Sequence, residues 1–362
     1  MDFGLSEDQL LLKDTIKRFL AEQCPTTRVR QIMEADSENE KQLWKELAEL
    51  GVAGVIVPAA HGGLERELLD LALVAEELGY AATPGPFIGA AMATVALVEG
   101  GDAKIQQHWL DALATGDAIG TVAWGEEAGE WTLEKLQTTV RGERLSGRKL
   151  MVPGAQTADV LIVAARDASG PGLWLVERDA PGVEVTALAV NDMTRRLDRV
   201  AFTDAPAVRL PRGAAAAPRV FDAGLILIAA DAYGGARRCL EMASSYAMTR
   251  EQFGQVIGAF QAVKHQLANM AADLEPSLAL VWYAAHAFDR IKDQSGRHAA
   301  IVKAHMADLY DRITRDATEL HGGIGFTWEF DLHLWFRRAI FDRSFLGEAN
   351  YHRERAAEFA GW

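Results

Sequence analysis

Two short segments of this 362-residue chain combine residue types suited to holding an anion. The first is Arg250-Glu251-Gln252-Phe253-Gly254-Gln255, which closes a long helical pattern, followed by Phe260-Gln261-Ala262-Val263-Lys264-His265, which opens the next. Arginine offers a planar fork of donors, and glycine lets backbone N–H groups approach a ligand closely. A plain helix-to-helix turn with a solvated Arg250 fits the same residues. The second segment, Glu319-Leu320-His321-Gly322-Gly323-Ile324-Gly325-Phe326, lies between two further helical patterns. Its glycines can simply end a helix, or they can form a nest of backbone amides for a phosphate.

Other chemistries lack their residues. Cys24 and Cys239 stand outside any Cys-x-x-Cys or His-rich context and read as reduced structural thiols of a cytosolic protein. Redox chemistry must then come from a bound cofactor. No Gly-x-Ser-x-Gly elbow supports a serine hydrolase. His321 has no second ligand at metal spacing, so no metal is expected. The net charge of −14 argues against non-specific nucleic-acid binding. Met1 to Asp8 carries neither a basic nor an apolar leader region, so no signal peptide is expected. The apolar stretches Ile88–Val98 and Ala223–Ala230 fall short of the ~20 residues of a membrane span, so a cytoplasmic protein without a membrane is expected.

The elements that must position the two segments fall into three parts, expected as residues 1–118, 119–212 and 213–362. In the first, Ser6 is a plausible N-cap, and Leu12, Ile16, Phe19 and Leu20 make one apolar helix face, with Lys13, Lys17 and Arg18 on a solvated face. Further helices are expected over Glu38–Leu50, Glu67–Leu78, Phe87–Glu99 and Ala103–Ala114. Short β-type runs then appear at Gly120–Trp124, Leu136–Arg141, Val160–Ala165, Gly172–Val176, Val183–Ala187 and Arg199–Phe202, which suggests a small sandwich or barrel. Glu143–Gly147 reads as one of the turns between them, and Ala214–Pro218 as a linker. Long helical segments follow at Arg219–Thr249, Phe260–Asp293, Gly296–Leu320, Glu329–Phe341 and Ser344–Phe359, with Pro276 kinking the second.

At this spacing the two segments together are more specific than either. With Val57-Pro58-Ala59-Ala60-His61-Gly62-Gly63 and Leu145-Ser146-Gly147-Arg148-Lys149, they give a chain that resembles the acyl-CoA dehydrogenase family over its full length. The resemblance implies a mainly α fold with a central β-barrel: an N-terminal helical domain, a middle β domain and a C-terminal four-helix bundle. It implies FAD, with Arg250, Gln252, Phe253, Gln261, Glu319, His321, Gly322 and Gly323 inheriting contacts to its pyrophosphate and adenosine across a subunit interface. It also implies α,β-desaturation of an acyl-CoA thioester and an electron-transfer flavoprotein or similar acceptor. Glu319 stands where many relatives have Gln, and an acid beside phosphates repels them unless it points away.

The chain departs from the family where the chemistry happens. The usual base, a Glu directly before Gly, is replaced by Leu346 in Phe345-Leu346-Gly347-Glu348, and the alternative position on the first C-terminal helix is Gly224. Asp231 lies about 10.5 Å further along that helix, Asp222 points to nearly the opposite face, and Glu348 remains as a weak candidate base. Trp124-Gly125-Glu126-Glu127 stands for the family's Thr-Glu-Pro, and Leu150-Met151-Val152 for its Trp-Ile-Thr against the flavin ring. This pattern resembles the base-less subunit of heteromeric dehydrogenases of steroid side-chain degradation, in which a homologous partner in a dimer or tetramer supplies the base. Two alternatives stay open: a self-sufficient homo-oligomer that uses Glu348, and a catalytically silent scaffold.

Overall fold

The computed structural model describes residues 4–35, 38–126 and 130–362. Met1, Asp2 and Phe3, read above for a leader, and Glu127 lie outside the described residues.

Six helices come first: α1 (Glu7–Gln23), α2 (Thr26–Glu34), α3 (Glu38–Glu49), α4 (Leu68–Tyr80), α5 (Phe87–Gly100) and α6 (Ala103–Ala114). Ser6 caps α1 as expected, its Oγ accepting the Gln9 N–H at 3.2 Å while Gln9 Oε1 accepts the Ser6 N–H at 3.0 Å. Ile16 and Leu20 are the buried residues of its apolar face. Lys13 overturns the solvated face assigned to it. It precedes Ile16 by one turn, so it points inward, and its Nζ meets both oxygens of buried Glu76 at 2.7 Å. Helix α2 has no counterpart in the sequence reading; Pro25 stands at its N-cap, and Val29, Ile32 and Met33 are buried.

Eight strands follow: β1 (Gly120–Ala123), β2 (Thr139–Arg141), β3 (Arg144–Pro153), β4 (Val160–Asp167), β5 (Gly170–Glu177), β6 (Val183–Ala187), β7 (Leu197–Pro206) and β8 (Val208–Arg209). They form one curled sheet in the order β6-β7-β3-β2-β4-β5-β8, with β1 parallel to β4. The turn expected at Glu143–Gly147 is instead the start of β3, where Leu145 pairs with Val140 on one side and Ala205 on the other. Gly147, at φ +150°, accompanies a register shift in the β3–β7 ladder, and that bulge makes a strand read as a turn. Val152, Leu161, Trp174, Val200 and Phe202 fill a core belonging to the sheet itself.

The chain then enters α7 (Gly213–Thr249), and Ala214–Pro218 is the start of that helix rather than a linker. Alanine is the best helix former, and a proline this near the N-terminus forfeits a single ladder bond. By length and composition α7 is apolar enough to cross a bilayer, yet 78% of its most apolar window is buried inside the protein. A hairpin of β9 (Glu251–Gln252) and β10 (Gln255–Val256) leads to α8 (Gln261–Leu274) and α9 (Ser277–Arg290). Pro276 separates these two helices instead of kinking one. α10 (Ser295–His321), α11 (Leu332–Ser344) and α12 (Ala349–Phe359) complete the chain.

Helices α7 and α10 run parallel. Gly296 lies against the Asp222 carboxylate, Gly235 against the Tyr310 ring, and Tyr246 stacks on His321 at 4.4 Å, so contacts advance together along both helices. Helix α4 crosses α7 closely because Gly234 presents no side chain to the Glu76 carbonyl; a Cβ there would lie 1.8 Å from that oxygen.

A buried ionic cluster fastens the three parts to one another. Arg338 of α11, 0% exposed, donates to Asp192 of the β6–β7 connection at 2.9 Å, to Asp231 of α7 at 3.1 Å and to the Thr83 carbonyl before α5 at 3.1 Å. Arg195 donates to Asp231 at 2.7 Å and to the same Thr83 carbonyl at 2.9 Å. Asp342 lies beside them, and burial together with the adjacent Asp231 holds its carboxyl well above the usual range, which keeps it protonated. Two arginines thus face two carboxylates and one neutral acid.

Removing Arg338 leaves Asp192 and Asp231 short of a buried cation, so Arg338→Met should destabilise the protein by about 3–5 kcal/mol in urea denaturation. Asp342→Asn should behave oppositely. Folding holds the Asp342 proton that the unfolded chain releases above its ordinary pKa, so this carboxyl weakens stability as pH rises. The urea midpoint of Asp342→Asn should therefore gain on the parent between about pH 5 and 7; a constant difference would contradict a protonated Asp342.

Candidate functional site

The ends of α7 and α10 bring the two sequence segments to one end of the bundle, joined by the Tyr246–His321 stack. Arg250 caps α7, with its N–H bonded to the Tyr246 carbonyl at 2.8 Å and its carbonyl accepting the Ile257 N–H at 2.8 Å. Its side chain is exposed and forms no ion pair among the described residues. Gln252 lies on the hairpin, whose turn residues Phe253 and Gly254 have φ of 53° and 79°. Positive φ at both central residues is the tight hairpin turn whose twist matches its strands. It drives Phe253 out to 92% exposure, with its ring edge-on to Phe260. Gln261 is the exposed first residue of α8.

Gly322 follows His321 at φ +63° and, with Gly323, opens a short helical turn ending at Phe326. A Cβ on Gly322, Gly323 or Gly254 would meet nothing within 4 Å. Glu319 is exposed on the last turn of α10, and its carbonyl accepts the Gly322 N–H. His321 is the one candidate beneath the surface. Its Nδ1 lies 2.7 Å from the Ala317 carbonyl, its Nε2 is buried without a partner among the described residues, and burial pushes its pKa down. A neutral ring packed between Tyr246 and Phe330 supports the loop from below. The rim therefore carries the exposed Arg250, free glycine backbone and exposed apolar side chains, among them Phe326 at 76% exposure. These residues fit the pyrophosphate and adenosine end of FAD: a planar cation and oriented amides suit two phosphates, and the apolar rim suits a ring.

The place for the reacting end is built differently. The two positions where the family carries its base converge: a Cβ on Gly224 would lie 2.7 Å from Leu346 Cδ1 and 2.8 Å from Met92 Sδ. Leu346 is 0% exposed, and it keeps a left-handed φ of 59°. The His352 Nε2–H donates to its carbonyl at 2.9 Å, and burial beside Lys303 holds His352 neutral, its pKa pushed down to about 3. Lys303 donates to the Asp342 and Arg343 carbonyls that end α11, with burial pushing its own pKa down to about 7. Around this plug, Trp124 lies 5.3 Å from Phe221, Trp131 is edge-on to Phe345 at 5.5 Å, and Phe345 stacks on Phe341 at 5.0 Å. A cleft of about 310 Å³ remains outside it, walled by Trp124, Trp131, Phe221, Tyr351 and Arg355.

None of the carboxylates weighed as a base reaches this plug. Asp222 is locked to Arg355 at 2.5 Å, and Asp231 belongs to the buried ionic cluster. Glu348 is exposed at the N-cap of α12, beyond Leu346 and Gly347. Val152 is buried in the sheet core, so its side chain is not offered to a flavin ring. Buried Lys149, its pKa lowered to about 8 by burial, donates to Glu126 at 2.8 Å and to the Trp124 carbonyl at 2.9 Å, which fixes the segment carrying Trp124. Met92, Trp131 and Lys303 escaped the sequence reading. Met92 sits in an unbroken apolar helix that carries no signal, whereas Lys303 stood out only as a charge among buried alanines.

The positive φ at Leu346 yields a direct check. Truncating this buried side chain should cost about 2–4 kcal/mol. Leu346→Gly should cost about 1 kcal/mol less than Leu346→Ala, because glycine adopts the left-handed conformation without strain. Paired denaturation curves decide it, and Ala proving the milder change would contradict the strained loop.

Family models for the acyl-CoA dehydrogenase N-terminal and C-terminal domains match residues 6–117 and 211–361. The acyl-CoA dehydrogenase IpdE2 of Mycolicibacterium smegmatis is 31% identical over 344 residues, 95% of this chain and 96% of that protein. The solved Tcur3481-Tcur3483 steroid ACAD has a chain at TM-score 0.91 and 30% identity, covering 98% of both chains. The ChsE4-ChsE5 complex from Mycobacterium tuberculosis has one at TM-score 0.90 and 27% identity, covering 100% of this chain and 99% of that one. On these matches, with helices, curled sheet and helices in the same order, the chain belongs to the acyl-CoA dehydrogenase family.

Proposed function

We propose that this chain is the base-less subunit of a heteromeric, FAD-dependent acyl-CoA dehydrogenase, and that a homologous partner supplies the carboxylate. One observation carries the reading: both base positions are closed, Gly224 against Leu346 and Met92, while the phosphate clamp at the other end stays open to solvent.

FAD, when bound, supplies the acceptor for the substrate's β-hydride. The residues of this chain do the holding. Arg250 would neutralise the pyrophosphate, whose charge is about −2, and the amides around Gly322 and Gly323 would donate to it. Phe253 and Phe326 would supply apolar contacts for the adenosine, and Gln252 and Gln261 would offer polar ones. The α-proton must leave to a carboxylate placed in a desolvated pocket, and neither Leu346 nor Gly224 can accept it. Similarity to a chain of a steroid ACAD favours a bulky steroid-derived acyl-CoA as substrate. An electron-transfer flavoprotein or similar acceptor then reoxidises the assembled enzyme.

Expression of the chain alone and together with a homologous dehydrogenase subunit, followed by measurement of bound flavin and acyl-CoA-dependent dye reduction, separates the readings. Flavin and turnover only in the pair, at one FAD per two chains, is expected. Turnover by the chain alone would point to Glu348 as base, and a flavin-free pair would leave a scaffold. Within the pair, Arg250→Ala should weaken FAD retention by about tenfold or more, the scale of one charged hydrogen bond. The chain alone should keep its melting temperature in this variant, because Arg250 is exposed there and forms no ion pair among the described residues.

A further inference from the structure

A second cleft, of about 400 Å³, opens where α1 gives way to α2, against α4, α7 and α11. It shares no residue with the phosphate clamp or with the plug. Leu20 and Pro25 form part of an apolar floor, and Tyr80 and Trp335 supply flat walls. The indole of Trp335 is fixed, its Nε1–H shared between the Gly79 and Tyr80 carbonyls at 3.1 and 3.2 Å.

The charges around this cleft are unevenly matched. Arg237 is ion-paired, with Glu76 at 2.8 Å and Glu77 at 3.0 Å. Its neighbour Arg238 lines the cleft, lies over the Tyr80 and Trp335 rings at 5.4 and 5.7 Å, and makes one long hydrogen bond, to the Tyr80 hydroxyl at 3.4 Å. Arg238 has no carboxylate within ion-pair distance among the described residues. Lys17 follows the same pattern one turn beyond Lys13: Lys13 is paired with Glu76, whereas Lys17 lines the cleft without an ion pair among the described residues. Glu77, 1% exposed, gives one oxygen to Arg237 and leaves Oε2 buried with no donor.

An unpaired guanidinium held between two rings asks for an anion and for a flat apolar body beneath it. A buried carboxylate oxygen without a donor asks for an N–H or O–H. A cleft of this volume with rigid aromatic walls and a few fixed polar groups has the make-up of a small-molecule site. We propose that this cleft binds a small planar aromatic carboxylate that carries a ring N–H or O–H, its carboxylate on Arg238 and Lys17 and its donor toward Glu77.

Indole-3-acetate has all three features and serves as the probe, titrated calorimetrically into the full chain. One saturable site per chain is expected, with 3-methylindole, which lacks the carboxylate, binding at least about tenfold more weakly. Benzofuran-3-acetate, which lacks the N–H, should bind more weakly by about threefold or more. Arg238→Gln should weaken indole-3-acetate by about tenfold. Lys17→Gln, on an exposed turn, guards against a folding defect and should weaken it by about threefold with an unchanged melting temperature. The absence of a saturable site overturns the proposal, as do equal affinities for the acid and 3-methylindole. So does competition by FAD, which would place the probe in the cofactor clamp instead.

Discussion

The placement of α7 against α11 depends on Asp231. This carboxylate receives Arg195 and Arg338 in the protein interior, and both arginines reach on to the Thr83 carbonyl between α4 and α5. Through Asp192 and Thr194 the same cluster takes in the connection before β7. Ionised side chains at this depth are tolerated only with near-complete pairing, so geometry is tightly specified: displacing any one of the three parts strands a charge. That rigidity is what sets the loop after α11, and therefore Leu346, against Gly224.

The loop itself is held by polar contacts that have no need of a titrating side chain at position 346. Lys303 ties down the carbonyls that end α11, His352 binds the Leu346 carbonyl, and Gly347, at φ +107°, completes the reversal. Left-handed backbone at a leucine persists only where its surroundings impose it. The scaffold that would aim a base into the pocket is thus present, while the side chain it aims is a hydrocarbon lying against Gly224. Under the proposed reading, shape and chemistry have separated: this chain keeps the fold and the clamp, and the proton chemistry lies elsewhere.

Much of this was legible in the sequence, for reasons that differ between elements. Ser6 and the apolar period of α1 are local signals, and the helix formed where they pointed. Glu143–Gly147 misled because its composition reports a bulge as a turn, and Ala214–Pro218 because low complexity hides the propensity of alanine. Lys13 and Asp231 could not be placed from residue type, since their partners Glu76 and Arg338 are remote in sequence. In the site, the Arg250 corner and the Gly322 loop announced themselves by type and spacing. Of the plug, Leu346 and Gly224 stood out only through the family resemblance and Met92 not at all, because their contact forms only when three distant segments converge.

Symmetry sharpens what the plug implies. A two-fold dimer of identical chains repeats each surface and each defect on both sides. Two copies of this chain would bring two open clamps to two cavities in which Leu346 and Gly224 stand at the base positions, and no rotation of identical copies creates a carboxylate there. Under the proposed function a non-identical homologue changes the outcome: the clamp of this chain would complete a pocket whose base belongs to the other, while the reciprocal site would lack one. Turnover at half of the sites would then follow from side-chain chemistry at two positions, whatever the area or strength of the interface.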